Sequence, residues 1–280
     1  MPLTEAQIEA FCLLLEDERP SITAALDRQV GGFSEEDRER LLVRLRGEKR
    51  GPVVVPPALG EHHQRMLERA FSDWAVSPPG ELDLERGAFL LASYAYPLED
   101  MGRYGAELDR MAGTLRLRLG GAASPGEIVE GMAEYLHGEL RFDGDRENYY
   151  DSQNSYLNRV LDRRRGIPIT LSAVYLLMGQ RLGLPFRGVG MPGHFIVKYE
   201  APGGPIFLDP FEGGHRLSVQ DCEGIVRGLG YHFDLRFLQE TPPRRIVERM
   251  LNNLIGIFQR DGGEDKIKRL MRYREIVQRG

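Results

Sequence analysis

The sequence predicts an α+β protein: a helical N-terminal region, a core holding a small antiparallel sheet, and a C-terminal helical hairpin. Three observations carry that expectation. Apolar residues recur at helical spacing through most of residues 1–141, as in Ile8, Phe11, Cys12 and Leu15. Between Phe186 and Asp209 the pattern switches to short β-rich runs broken by Gly and Pro. After Thr241-Pro242-Pro243 the helical spacing returns. These changes divide the chain into spans 1–75, 76–141, 142–240 and 241–280.

In the first span, Ser34-Glu35-Glu36-Asp37 opens a helix with acids at the positive end of its dipole, and Leu41, Leu42 and Leu45 form its apolar stripe. The phrase Leu13–Pro20 weakly resembles one unit of a HEAT-type repeat. The proline-rich run Gly51–Gly60 predicts a loop or linker. In the second span Leu84, Ala88, Leu91, Ala92 and Ala95 share one face, and Leu108, Met111 and Leu115 another. Ser124-Pro125-Gly126-Glu127 is a strong helix start, carrying Ile128, Met132, Tyr135 and Leu136 inward as far as Gly138.

From Phe142 the character changes. Asn148–Asn158 is polar and aromatic, and a short helix is expected over Leu157–Arg164. The helix after Gly166 is apolar nearly all round, which predicts burial, and Gly183 and Pro185 stop it. Strands follow at Phe186–Val189, His194–Glu200 and Ile206–Asp209. In the tail Ile246, Met250, Leu254 and Ile257 face inward, Asp261-Gly262-Gly263 turns the chain, and Ile267, Leu270 and Met271 line the second helix.

Bulk composition narrows the function classes. With 280 residues, 41% hydrophobic and 28% charged, the chain has the makings of an ample soluble core. No apolar run is long enough to span a bilayer, and Met1–Glu5 lacks the basic and apolar regions of a signal peptide. Cys12 and Cys222 do not make a disulfide framework, so the expectation is a reduced, cytoplasmic protein without a membrane partner. Residues 243–280 hold ten Lys/Arg against five Asp/Glu. Phe258 and Tyr273 are the only aromatics among those charges, too few for a stacking series, so the tail reads as solvated helices and no nucleic acid is expected.

The chemistry concentrates between Arg165 and Phe211. If Tyr199 pairs with Ile206 across the turn at Ala201–Pro205, Asp209 falls opposite Ile196 and shares a face with His194. The two would then lie one diagonal apart, about 7–8 Å between Cα atoms and within reach of a carboxylate-to-imidazole bond. A one-residue slip would put them on opposite faces. A helix N-terminus beside a strand His and a strand Asp is how thiol enzymes hold their nucleophile, because dipole and imidazolium both favour the thiolate. Here that place holds Pro168, which suits a first helical turn but supplies no nucleophile.

Other candidates are weaker. Thr170 and Ser172 sit inside the helix, where burial or bonding to the helix backbone is expected. Cys222, like Cys12, is expected as a small buried or partly buried residue. The run Gly188–Gly193 satisfies G-x-G-x-x-G but leads into a strand, so it offers no helix dipole to a dinucleotide. His194, His215 and Asp209, or His62-His63, match no ligand module, and neither a metal nor a cofactor is expected.

The run Tyr149–Leu161, then Arg164-Arg165-Gly166-Ile167-Pro168-Ile169-Thr170-Leu171-Ser172, then Pro192-Gly193-His194-Phe195 and Asp209–Gly214, resembles the SirB family of transglutaminase-like proteins. The resemblance covers about Leu82–Gly280, and Arg249–Leu254 resembles that family's tetratricopeptide-type tail. It implies a papain/transglutaminase-like core in which His194 and Asp209 match the superfamily's histidine and aspartate and Pro168 stands in the cysteine's place. The function expected first is a non-catalytic protein- or peptide-binding module. Its groove would involve Tyr149, Tyr150, Asn154, Tyr156, Pro168 and Ser172. The alternative is a cysteine-independent amide or ester hydrolase in which His194 and Asp209 activate water. A third expectation is a purely structural helical adaptor.

Overall fold

A computed structural model describes residues 2–17, 19–47, 53–78, 80, 82–121 and 124–280. Helices α1 (Glu5–Leu14), α2 (Pro20–Gly31), α3 (Glu35–Gly47) and the start of α4 (Pro57–Ala75) enclose a first core of Ile8, Cys12, Leu15, Leu26, Leu41, Leu42 and Leu59. Ser34 caps α3 by accepting from the Asp37 amide at 3.1 Å. The expected loop at Gly51–Gly60 is shorter than its prolines suggest. Pro57 takes the first helical position of α4, where a missing N–H leaves nothing unsatisfied. Gly51 and Pro52 lie outside the described residues.

The second half of α4 gives Leu67, Phe71 and Trp74 to the main core, which also takes in α5 (Leu84–Ala95), α6 (Gly102–Leu119) and α7 (Pro125–Ala133). The predicted start of α7 is present as a full capping box between Ser124 and Glu127. Beyond Ala133 the helix widens into a π turn, Glu134–Glu139. That turn brings His137 Nδ1 to within 2.7 Å of the Phe142 carbonyl and Nε2 to 3.0 Å from the Tyr175 hydroxyl.

Two short strands, β1 (Asp143–Gly144) and β2 (Arg165–Gly166), pair in parallel on either side of α8 (Leu157–Arg163). The run Arg163-Arg164-Arg165 is held there by carboxylates: Asp145 and Asp151 for Arg163, Glu107 for Arg164 and Asp143 for Arg165. Helix α9 (Pro168–Leu182) is buried along most of its length, as its all-round apolarity requires. The sheet runs in the order β3 (Phe186–Met191), β4 (His194–Ala201), β5 (Gly204–Asp209), β6 (His215–Leu217), all antiparallel. Tyr199 pairs with Ile206, the register expected from the turn. Strand β6 has no counterpart in the sequence reading, since three mostly exposed residues carry no alternation.

After α10 (Val219–Gly228), the tail forms the expected hairpin of α11 (Pro243–Asp261) and α12 (Glu264–Arg279), with Gly262 at φ +75° in the turn. One detail of its stripe is corrected. Leu270, Tyr273 and Val277 are the buried residues of α12, whereas Met271 is 38% exposed. Tyr273 wins the inward position because its ring stacks on Phe71, with centroids 4.8 Å apart. The hairpin is thereby fixed to α4, and Arg244 reinforces the junction by donating to the carbonyls of Val277 and Ala75.

Candidate functional site: a cleft around His194

Asp209 ends β5 and His194 begins β4, so the antiparallel register puts both at one end of the sheet. His194 Nε2 lies 2.7 Å from Asp209 Oδ2. The aspartate is almost fully buried and the imidazole keeps 13% exposure. Asp209 Oδ1 also accepts from the Phe211 amide at 3.0 Å and the Glu212 amide at 3.4 Å, capping the short 3-10 turn Pro210–Glu212. The carboxylate therefore fixes the turn and the imidazole together. Because a carboxylate can only accept, Nε2 carries a proton, and Nδ1 is left without a hydrogen-bond partner among the described residues.

The pair opens on a cleft of about 570 Å³ that is also lined by Tyr149, Tyr150, Pro168, Phe211 and Leu229. Pro168 is the first residue of α9, so the helix presents its positive end and a proline ring to this cleft. An aromatic wall continues from the imidazole. Phe211 meets His194 edge-on at 6.4 Å, Tyr149 meets Phe211 at 5.9 Å, and Tyr150 meets Tyr149 at 5.3 Å. The Arg260 guanidinium sits 3.7 Å over the Tyr150 ring. A second bay of about 320 Å³ shares Tyr149 and Tyr150 and runs along α11 past Ile167, Asn252, Asn253 and Gly256.

Not every residue expected in the groove lies there. Asn154 is fully buried, donating to Asp145 Oδ2 at 3.1 Å and to the Asn148 carbonyl at 2.8 Å. It ties down the loop that presents the two tyrosines. Tyr156 is 2% exposed and packs edge-on against Tyr96, away from the cleft. Ser172 is sealed in the core with its hydroxyl 3.4 Å from the Phe195 carbonyl. Thr170 bonds the Asn154 carbonyl at 2.7 Å and accepts from the Ile167 amide. Neither hydroxyl bonds the imidazole. Cys222 is buried too, and burial pushes its thiol up to about 11.

Several residues join the site that sequence reasoning missed. Phe211 and Glu212 stood inside a quoted motif, but nothing in their spacing assigned them a role. Arg146 fixes both, donating to the Phe211 carbonyl at 3.1 Å and to Glu212 at 2.8 Å. From α11, Arg249 donates to the His194 carbonyl at 2.7 Å, and its burial lowers its proton affinity from the ordinary arginine value. No carboxylate comes within salt-bridge distance of it among the described residues. Only the Arg-Met-Leu-Asn-Asn phrase itself hinted that the tail touches the cleft.

A buried helix packed on a small antiparallel sheet that carries a His–Asp pair at one end defines the class of fold: α+β and transglutaminase-like. The family model of the transglutaminase-like superfamily matches residues 102–252, and the chain belongs to that superfamily. It is 32% identical over 212 residues to a UPF0162 protein of Xylella fastidiosa (strain 9a5c), covering 74% of this chain and 75% of that one. A UPF0162 protein of Vibrio cholerae is 33% identical over 133 residues, 47% of this chain and 49% of its own. Human F-box only protein 21 is 32% identical over 144 residues, 49% of this chain but 22% of that protein. No solved structure matches the chain. Among the described residues, no helix is long and apolar enough to cross a membrane.

Proposed function

We propose that this protein binds an extended protein or peptide segment, without covalent catalysis, in the groove running from His194 to Gly256. The observation that carries the reading is Pro168 at the first turn of α9, beside an imidazole whose only hydrogen-bond partner among the described residues is Asp209. An activated nucleophile needs a hydroxyl or thiol in contact with the base, and none is in place among the described residues. What remains suits recognition. Tyr149, Tyr150 and Phe211 offer rigid apolar area, and Nδ1 of His194 offers one directed polar contact. The tail, read as a tetratricopeptide-type helical pair, supplies the second wall through Asn252 and Asn253.

Display selection against the full chain with a random peptide library tests this reading. Enrichment of a common motif, lost with Tyr150→Ala and with His194→Ala, is the expected result. Equal recovery by wild type and both variants would count against it.

The hydrolase alternative keeps one observation in its favour: the 2.7 Å His194–Asp209 bond would orient the imidazole as a general base for water. It predicts cleavage of the selected peptides or of their esters. Intact peptides after prolonged incubation remove it.

A further inference from the structure

A separate cavity of about 450 Å³ opens where α4, α5, the 3-10 turn before α8 and the tail hairpin meet. None of its residues lines the His194 groove. Its most informative member is Tyr156. The residue is only 2% exposed, yet its hydroxyl makes no hydrogen bond with any described residue. The oxygen is not one of the fully enclosed unpaired atoms, so its opening is the cavity. A buried tyrosine hydroxyl ordinarily finds a partner.

The other groups there repeat the pattern of donors without acceptors. The Tyr94 hydroxyl is unpartnered among the described residues, and burial pushes its pKa up to about 12, which keeps the proton on it. Gln64 spends its carbonyl oxygen on Tyr273, leaving its amide NH2 to donate. Lys266 and Arg269 stand on the first turns of α12, and neither meets a carboxylate within salt-bridge distance among the described residues. The one acid of the lining, Asp265, is 92% exposed and pairs with Lys268 instead. A cavity that is rich in donors, bears two cations and is walled by aromatic rings is complementary to an acceptor-rich anion on a flat apolar body.

We propose that this cavity binds a small oxyanion compound, a carboxylate or phosphate carried on a planar ring, with Tyr156 as its innermost donor. The site is independent of the groove and of its peptide. Isothermal titration of the full chain with benzoate and with phenyl phosphate tests the proposal and separates the two oxyanion sources, with benzyl alcohol as the uncharged control. At least one anion binds saturably, and the alcohol does not. Tyr156→Phe keeps the ring and removes only the donor, so it weakens binding by about ten-fold or more. The exposed-rim double variant Lys266→Gln/Arg269→Gln does the same without touching the core, and Arg236→Gln, which pairs with Asp234 in a turn that is no part of the cavity, leaves binding unchanged. Failure of both anions to bind, equal binding of the alcohol, or wild-type affinity in the Tyr156 and rim variants would overturn the proposal.

Discussion

Gly256 lies in the interior of the 19-residue helix α11, where glycine destabilises a helix by about 1 kcal/mol relative to alanine. Usually a packing contact explains such a residue. At Gly87, for instance, an added Cβ would sit 2.8 Å from Val247 and 2.9 Å from Trp74. At Gly256 it would meet no atom within 4 Å, because that face of the helix is the floor of the 320 Å³ bay. Gly256→Ala should therefore raise stability by about 0.5–1 kcal/mol, a shift of roughly 1–4 °C in Tm for a chain of this size. The same carbon, and far more so Gly256→Leu, fills the space a bound segment would use. The signature is two effects of opposite sign, a more stable fold and weaker peptide capture. Denaturant unfolding reads the first and anisotropy of a selected, labelled peptide reads the second. If alanine destabilises by more than about 0.5 kcal/mol, helix propensity does not govern this position. If leucine leaves capture intact, the groove does not extend over α11.

Three further outcomes follow from the geometry. Asp209→Ala removes the acceptor for His194 and for two backbone amides, and should lower unfolding stability by about 2–4 kcal/mol. Asp209→Asn, which keeps an oxygen for the amides, should lose clearly less in the same denaturant titration. Gly214→Ala should destabilise by at least about 2 kcal/mol, since φ is +74° and the new Cβ would fall 2.8 Å from that of Ala133. Its melting temperature against wild type is the check. His63 should make the fold sensitive to acid. Burial lowers its pKa from 6.5 to about 4, with Nε2 donating to the Ser93 carbonyl and Nδ1 accepting from Arg46. The unfolded chain thus takes the proton first. Stability is complete above about pH 6.5 and falls by about 3 kcal/mol as pH drops to 4. Unfolding at a series of pH values, in wild type and in His63→Asn, should show that slope shrink in the variant.

Much of the site was legible because its parts are local or fixed by a short turn. The hairpin joining Ala201 to Gly204 sets one register, and that register alone brings Asp209 to the His194 end of the sheet. Pro168 could be placed because a proline two residues past Gly166 has one good position, the first helical turn. Residues 148–156 were harder. Irregular backbone has no period, so nothing distinguishes Tyr149 and Tyr150, which face the cleft, from Asn154 and Tyr156, which do not. Asn154 turns inward because Asp145 waits there, a partner nine residues away that no spacing rule selects. The π turn at Glu134–Glu139 breaks the 3.6-residue period on which the expectation for α7 rested. Long-range ion pairs were equally invisible, as with Arg164 and Glu107, 57 residues apart.

The Pro168→Cys variant, titrated by its alkylation rate against pH, tests most directly whether a thiol-enzyme scaffold survives here without its nucleophile. Cys12 and Cys222 are buried, so the introduced thiol would dominate the signal. A thiol at the α9 N-terminus beside the imidazole should titrate at least about one unit below the ordinary value of about 8.5, and His194→Ala should shrink that shift to the part the helix dipole supplies. An introduced thiol that titrates at or above about 8.5, or that is indifferent to the loss of His194, would contradict the account.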